Sequence, residues 1–492
     1  MLYTNYFIIN HLPPVKTPIF AKVNDISEIT VFFTYLARRL VFFKIDTQFG
    51  RHMEQERSSA INASELLEPP REGDLGWVSE NTALLIVHGI GNQMPLETLD
   101  QFGRGLVSQY RAKFGEGFGI SHEIVVKQGD GDDKWFDNVL RLRKKDSSWF
   151  IDLYEYYWAD YTQDKASWKE MSQWLEGVVN GAGTFYQRNA AIGKEYHDRS
   201  IFFGSDGKFN LGKYRWFLFS VGRIFLVLDG LYRGLLWLIG RIPFCGSIAS
   251  SLFKSYADGK MHDLVNVISE VCIYNVVDPK SKWYRIRRAI LDGAVNAVRY
   301  MIERSNESGD LYYSSVIVCG HSLGTQIAYD AINKIDLLVN EGLIKHYDRD
   351  GVLMTARRTP IARQLRGFVT FGSPLDKVAF FLRENVPDAD YIWQQFLDNY
   401  HHFKMHNLDF ENDPSSNPQY LKASCNLRSL LNSVQWRNYY DHKDYVSGSL
   451  DYYWGLTNVD CHFEAGRFGF THSYYWDCSD FYGDIITHFL QP

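Results

Sequence analysis

The sequence predicts an α/β protein, a mostly parallel sheet with helices on both faces. Three stretches carry that prediction. Ala83–Val87 is an apolar run that ends in a glycine-containing loop, His88–Gln93, and continues into the helix-like Leu96–Leu99. Ser315–Cys319, rich in β-branched side chains, meets Gly320-His321-Ser322-Leu323-Gly324 and passes into Thr325–Ile332. Gly367–Phe371 is a third apolar strand, followed by Gly372-Ser373-Pro374. Strand, tight turn and helix in succession make a βα unit. In a doubly wound sheet such loops gather at the carboxyl ends of the strands, where ligands bind.

The remaining elements follow in chain order. Residues 1–75 read as an N-terminal extension with an apolar stretch at Thr30–Ala37 and a basic-aromatic one at Arg38–Phe43. Its polar, acidic end, 53–75, reads as a linker, and the core begins near Trp77. Ser121–Lys127 and Trp149–Trp158 are strand candidates. Residues 161–262 interrupt the βα alternation as an insertion, so the core is expected in two parts, 76–160 and 263–492. Trp283–Arg304 has helical spacing at Ile286, Ile290, Ala294, Val298 and Met301. A polar loop near 406–420 precedes the strand Gln435–Tyr440. A further strand at Tyr452–Thr457 and a terminal helix at Ser479–Leu490 complete the chain. No internal repeat is visible.

The centre of the insertion, Trp216–Ile239, is unusually apolar, but Arg223, Asp229 and Arg233 break it. No uncharged run reaches the roughly 18 residues that a spanning helix requires. If Arg215–Arg241 is helical, Arg215, Arg223, Asp229, Arg233 and Arg241 fall within an arc of about 120°. Such a helix suits peripheral contact with a membrane interface through 215–241, and equally suits a cap helix packed on the core.

At 492 residues the chain has room for one large domain with an insertion, or for two or three domains. A net charge of −6 argues against a general nucleic-acid partner. The aromatic content, 16%, fits large cores, an apolar cleft or interfacial contacts without choosing among them. Cys245, Cys272, Cys319, Cys425, Cys461 and Cys478 lie far apart with no C-x-x-C, so neither a disulfide framework nor zinc spacing is visible. No metal or organic cofactor is implied. Cys319, in the strand before the turn, reads as a core thiol. The first ten residues lack a basic n-region and a small-residue cleavage site. These features lead to the expectation of a cytoplasmic protein, peripheral at a membrane if the insertion binds lipid.

The chemistry centres on Ser322. A sharp turn between strand and helix exposes its hydroxyl beside a helix N-terminus. A serine hydroxyl attacks only with a base beside it and donors placed for the oxyanion. The plainer reading is a turn serine that caps a helix.

Val87-His88-Gly89-Ile90-Gly91, Gly320-His321-Ser322-Leu323-Gly324 and Phe371-Gly372-Ser373-Pro374, in this order, make the chain resemble the lipase and esterase branch of the α/β-hydrolase superfamily. It is more narrowly similar to intracellular lipid hydrolases carrying the first two motifs, including the DDHD phospholipases. Asp152–Asp160 and Ile268–Tyr274 match those proteins loosely, and the four-residue DDHD signature is not evident. The resemblance spans roughly residues 80–160 and 265–490. It implies an α/β-hydrolase fold in which 161–262 forms a largely helical cap.

The resemblance also sets the order nucleophile, acid, histidine. Three acids compete. Asp376 follows one strand, and Asp441 and Asp444 follow another. Asp444 is favoured, because the family often has an aspartate just past this strand with Val two positions on, here Val446. Asp441 reads as a turn cap and Asp376 as a helix cap. His472 is the expected base, in a loop before the terminal helix. His488 falls inside that helix and His462 on a strand or its flank. His321 is expected to pack at the turn, and His88, with Gly89 and Gly91, to shape the oxyanion loop. The backbone N–H groups of Leu323 and Ile90 are the expected oxyanion donors.

The expected activity is hydrolysis of a carboxylic ester, in a lipid or phospholipid, through an acyl-enzyme. The same residues would serve a thioesterase, an amidase or an acyltransferase. A catalytically silent scaffold that binds membranes or partners is the reading from another class.

Overall fold

The computed structural model describes residues 64–67, 76–124, 138–188, 202–216, 269–347, 353–381, 434–464 and 471–491, less short breaks within these stretches. Nine of its strands form one sheet: β1 (Ser64–Leu66), β2 (Thr82–Val87), β3 (Phe118–Ile124), β4 (Asn138–Lys144), β5 (Phe150–Tyr156), β6 (Ser315–His321), β9 (Leu365–Phe371), β10 (Gln435–Tyr440) and β11 (Leu456–Asp460). A separate hairpin pairs β7 (Lys345–Tyr347) with β8 (Leu353–Thr355). The helices are α1 (Glu97–Phe114), α2 (Trp168–Arg188), α3 (Lys282–Glu303), α4 (Leu323–Asn340), α5 (Leu375–Phe381) and α6 (Ser479–Phe489).

The sheet order is β1-β11-β10-β9-β6-β2-β5-β4-β3. All pairings are parallel except β3 with β4 and β4 with β5. After the edge strand β1, the chain enters the sheet centre at β2, crosses to the far edge at β3 and returns through β4 to β5, beside β2. It resumes at β6, on the other side of β2, and builds away from it through β9, β10 and β11, so the connections leaving β2 and β6 run to opposite sides. The order therefore reverses between β2 and β6, and the loops leaving their carboxyl ends diverge there and open a crevice.

Side chains on the central strands alternate between two cores, because successive residues of a strand point to opposite faces. Ala83, Leu85, Val87, Val316 and Val318 join one core with α3 and α4. Leu84, Ile86, Ile317 and Cys319 join the other with α1 and α6. Strands buried on both faces need apolar residues at nearly every position, which is why they are legible as continuous runs.

Helix α3 matches the expected spacing: Ile290, Ala294, Val298 and Met301 are buried, and the Ser281 hydroxyl accepts the Trp283 N–H at the start of the helix. A buried polar staple ties α3 to α4. Arg287 Nη2 lies 3.3 Å from Asp330 Oδ2, Arg287 Nε donates to the Tyr274 carbonyl, and the Tyr274 hydroxyl donates to Asp330. Tyr274 closes a helical segment at 269–274, so the same staple fixes that segment.

The structure differs from the sequence reading in four places. Ser64–Leu66, within the stretch read as a linker, is an edge strand: it pairs with β11, and Arg437 Nη2 reaches Glu65 at 2.9 Å. The sheet thus begins before residue 76. Its last strand is Leu456–Asp460, later than Tyr452–Thr457. The shift follows from a buried polar ladder, in which Trp436 Nε1 donates to Thr370 Oγ1, Thr370 to Asn438, and Asn438 Nδ2 to Asn458. Asparagine is depleted in strands, so only its partners on the neighbouring strands explain Asn458. Strand β3 is Phe118–Ile124, earlier than the expected Ser121–Lys127, whose last three positions lie outside the described residues. Finally, the first helix of the insertion, α2, buries Met171, Val178 and Ala182 in the same core as the sheet. The stretches 1–63 and 217–268, with the proposed interfacial segment beyond Trp216, lie outside the described residues. Among the described residues no helix is long and apolar enough to cross a membrane.

Removing one member of a buried ion pair leaves the other charge uncompensated, at a cost of about 3–5 kcal/mol. Asp330→Ala should therefore lower the unfolding free energy by about 3 kcal/mol, read from the denaturant midpoint. Lys334→Ala, half-buried one turn further along α4, leaves this staple intact and provides the comparison.

Candidate active site

Strand register brings the site loops together. Val87 pairs with Gly320, so Gly89 falls beside Ser322. His321 pairs with Phe371, and Phe371 with Tyr439. The carboxyl ends of β2, β6, β9 and β10 therefore stand level. The contacts follow this arithmetic. The Ser322 N–H donates to the Phe371 carbonyl at 3.1 Å, and the Gly372 N–H to that of Tyr439 at 3.2 Å.

Ser322 has φ 50 and ψ −129, between β6 and the first residue of α4. A non-glycine residue at positive φ is strained and persists only where its surroundings dictate it. The strain is held by Thr325, whose N–H and hydroxyl both donate to the Ser322 carbonyl, at 3.0 and 2.7 Å. The Ser322 hydroxyl is buried and makes no hydrogen bond to any described group. Gly89 leaves room for it: a Cβ there would lie 2.7 Å from Ser322 Cβ and 3.0 Å from His321 Nδ1.

His472 and Asp444 form a dyad. His472 Nδ1–H donates to Asp444 Oδ2 at 2.9 Å. Asp444 Oδ1 accepts the Val446 N–H at 2.9 Å, and Oδ2 also accepts the Tyr475 hydroxyl at 3.2 Å. Burial works against the charged carboxylate, yet the His472 ring and these donors outweigh it and hold Asp444 at about 2. The His472 ring packs over Gly372, where a Cβ would lie 2.9 Å from its Cε1 and 3.3 Å from His321 Nε2. The His321 ring thus spans from the Gly89–Ser322 contact to the His472 ring, 5.0 Å away between centroids. Ser322, His472 and Asp444 belong to one cluster.

The other histidines have different roles. His88 Nδ1–H donates to the Gly89 carbonyl at 2.7 Å, and its Nε2 accepts the Trp158 N–H at 3.0 Å. Trp158 Nε1 donates back to the His88 carbonyl, and the rings stack. Both ring nitrogens are engaged in one neutral tautomer, and burial lowers its pKa to about 4. His88 shapes the 88–91 loop and holds no mobile proton. Burial, with the His472 ring next in weight, lowers His321 to about 3. It packs among Phe371, Trp476 and His472, as expected. His488 lies in α6 with its Nε2 3.3 Å from Asp484, and His462 flanks β11.

The rival acids are committed elsewhere. Asp441 accepts the N–H groups of Lys443 and Phe463 and the Thr471 hydroxyl, which makes it the turn cap the sequence suggests. Asp376 sits in the first turn of α5, and both its oxygens accept from Lys377 Nζ.

Two acids went unassigned in the sequence reading. Glu270 Oε2 accepts the Gly91 N–H at 2.8 Å and so clamps the loop beside Ser322. Burial pushes its pKa up to about 8. Glu155, buried near the end of β5, is pushed up to about 7 for the same reason. The available signal was a carboxylate inside a mostly apolar stretch, Ile268–Tyr274 for one and Phe150–Trp158, which also holds Asp152, for the other. Leu323 opens α4, so its amide belongs to the first turn, where N–H groups lack intrahelical partners. Ile90, between Gly89 and the clamped Gly91, is half-buried.

No family model, curated protein or solved structure matches this chain.

An acid whose folded pKa stands above its unfolded value keeps an extra proton in the fold, so stability falls as pH rises through that window. For Glu270 the window runs from its ordinary 4.5 to about 8. The melting temperature should fall across it, and Glu270→Gln should make the fall shallower, leaving the share due to Glu155. A Glu270→Gln profile parallel to that of the wild type would place the ionisation elsewhere.

Proposed function

We propose that the chain is an α/β-hydrolase-type serine esterase that cleaves a carboxylic ester of a lipid or phospholipid. One observation carries the reading. A strained serine with a buried, unbonded hydroxyl lies in the same cluster as a histidine held by a low-pKa aspartate, at the switch point of a parallel sheet.

In this reading Ser322 Oγ attacks the ester carbonyl carbon while His472 Nε2 takes its proton. The N–H groups of Leu323 and Ile90 hold the oxyanion, each donor contributing about 10²–10³ in turnover. The tetrahedral adduct collapses, and the leaving alcohol departs with the proton from His472. Water then attacks the acyl-serine by the same route and releases the acid. Asp444 fixes the tautomer and stabilises the imidazolium. Glu270 keeps the 88–91 loop in place through Gly91.

The test is ester turnover with labelling by a fluorophosphonate probe. Ser322→Ala should abolish both. His472→Ala should lose most turnover, and the double variant should be scarcely worse than either, because the residues act as a unit. Asp444→Asn should lose less. Losses that multiply would count against the assignment, and a crippled Asp376→Asn would move the acid there.

The lipid reading of the substrate rests on the motif resemblance and on the sequence of 215–241. Phe225, Leu228 and Leu235 replaced together by Ser should weaken liposome binding and turnover of aggregated lipid, with a short soluble ester cleaved as before. Equal loss on both substrates would make the segment part of the packed core.

A further inference from the structure

His442, Asp460 and His462 meet just past the carboxyl ends of β10 and β11, and the serine chemistry uses none of them. His442 Nδ1 lies 3.7 Å from Asp460 Oδ1, and His462 Nε2 lies 3.3 Å from Asp460 Oδ2. One ligand atom from each residue falls within 4.8 Å of the others. The two rings are 5.1 Å apart and half-exposed, while Asp460 is largely covered. We propose that these three side chains form a zinc site that staples the loop leaving β10 to the loop leaving β11.

Three features support the site. The first is its donor set. Two imidazoles and a carboxylate match the three-ligand zinc sites that leave a fourth position for water, here on the solvent side. The second is spacing. At zinc–ligand bonds of 2.0–2.1 Å, tetrahedral ligand atoms stand about 3.4 Å apart. The separations of 3.7 and 3.3 Å, one to each Asp460 oxygen, bracket that value, and with all three donors within 4.8 Å a rotation of the half-exposed rings closes the set.

The third is the frame around the donors. Tyr440 pairs with Asp460, and the Cys461 N–H donates to the Tyr440 carbonyl at 2.8 Å. Further out, Asp441 Oδ2 accepts the Phe463 N–H at 2.7 Å, and Lys443 Nζ donates to the Phe463 carbonyl at 2.8 Å. The two loops are thus tied on either side of the histidines, and that contact occupies the nearby ammonium of Lys443. His462 itself has φ 46, a left-handed conformation, and its N–H donates to Asp460 Oδ1 at 3.2 Å. The strands and loops therefore hold the three donors before any ion arrives, which lowers the ordering cost of binding. The sequence reading implied no metal because the ligands come from two separate loops and form no compact motif.

The site is independent of the esterase reading and is tested without it. Full-length protein freed of metal with a chelator is titrated with Zn²⁺ by calorimetry and with Co²⁺ by visible absorption. The expected result is one ion per chain with a dissociation constant on the order of micromolar or tighter. Co²⁺ should give the absorption of a tetrahedral centre, and saturating Zn²⁺ should raise the melting temperature. His442→Ala and His462→Asn should each weaken binding by at least the roughly 10–100-fold that the loss of an outer partner costs. Asn tolerates the left-handed backbone at 462, and far-UV circular dichroism checks that both variants fold. His488→Ala, whose ring pairs with Asp484 in α6, should bind as the wild type does. The proposal is overturned if no stoichiometric uptake occurs at micromolar ion, or if uptake survives in both His442→Ala and His462→Asn.

Discussion

The parallel register of β2, β6, β9 and β10 is the constraint on which the site depends. Val87 opposite Gly320, His321 opposite Phe371 and Phe371 opposite Tyr439 bring four strand ends level. A slip of one residue in any pairing would exchange the two faces of that strand and move its loop out of the cluster. A slip would put side chains shaped for one core into the other; the one shift, a bulge where Val316 pairs with Leu365 and Ile317 with Gly367, comes at the start of β6 and leaves the site end in register. The energy that fixes the register is hydrophobic. What it fixes is the position of a serine, a histidine and an aspartate from distant parts of the chain.

Within that frame, burial and pairing separate groups of the same chemical type. His88 and His321 are buried without an acid and lose affinity for a proton, to about 4 and about 3. Asp444 is buried against an imidazole and two further donors and stays ionised, at about 2. Glu270 has one backbone donor and a distant hydroxyl, so burial prevails and raises it to about 8. The proposed division of labour follows: the neutral groups shape loops, and the one firmly charged carboxylate supports a base. The staple of Arg287, Asp330 and Tyr274 extends this organisation outward, because it fixes the helical segment from which Glu270 reaches Gly91.

The central strands were legible because a strand covered on both faces is written as an unbroken apolar run. Ser322, His472 and Asp444 were legible because a turn motif, a loop histidine and a chain order stand out against such runs. Leu456–Asp460 was misplaced because its middle residue is Asn458, which is acceptable only with Asn438 beside it on the next strand. Ser64–Leu66 was missed because a three-residue edge strand carries too few residues for a pattern. The role of Glu270 is not legible in the sequence, since its partner is a backbone amide far away along the chain.

By itself, the sequence determined the alternation of strands and helices, the chemical groups offered at the turns, and their order along the chain. These are local properties, set by side-chain periodicity and by what a tight turn permits. Tertiary structure decided which acid meets His472, which carboxylates keep their protons, and which loops come within reach of one another. Those outcomes depend on distance and desolvation, which arise only when separate strands pair. Asp441 and Asp444 lie three positions apart in one loop. One closes a turn and the other holds the imidazole, because the fold places Phe463 and Thr471 against the first and His472 against the second.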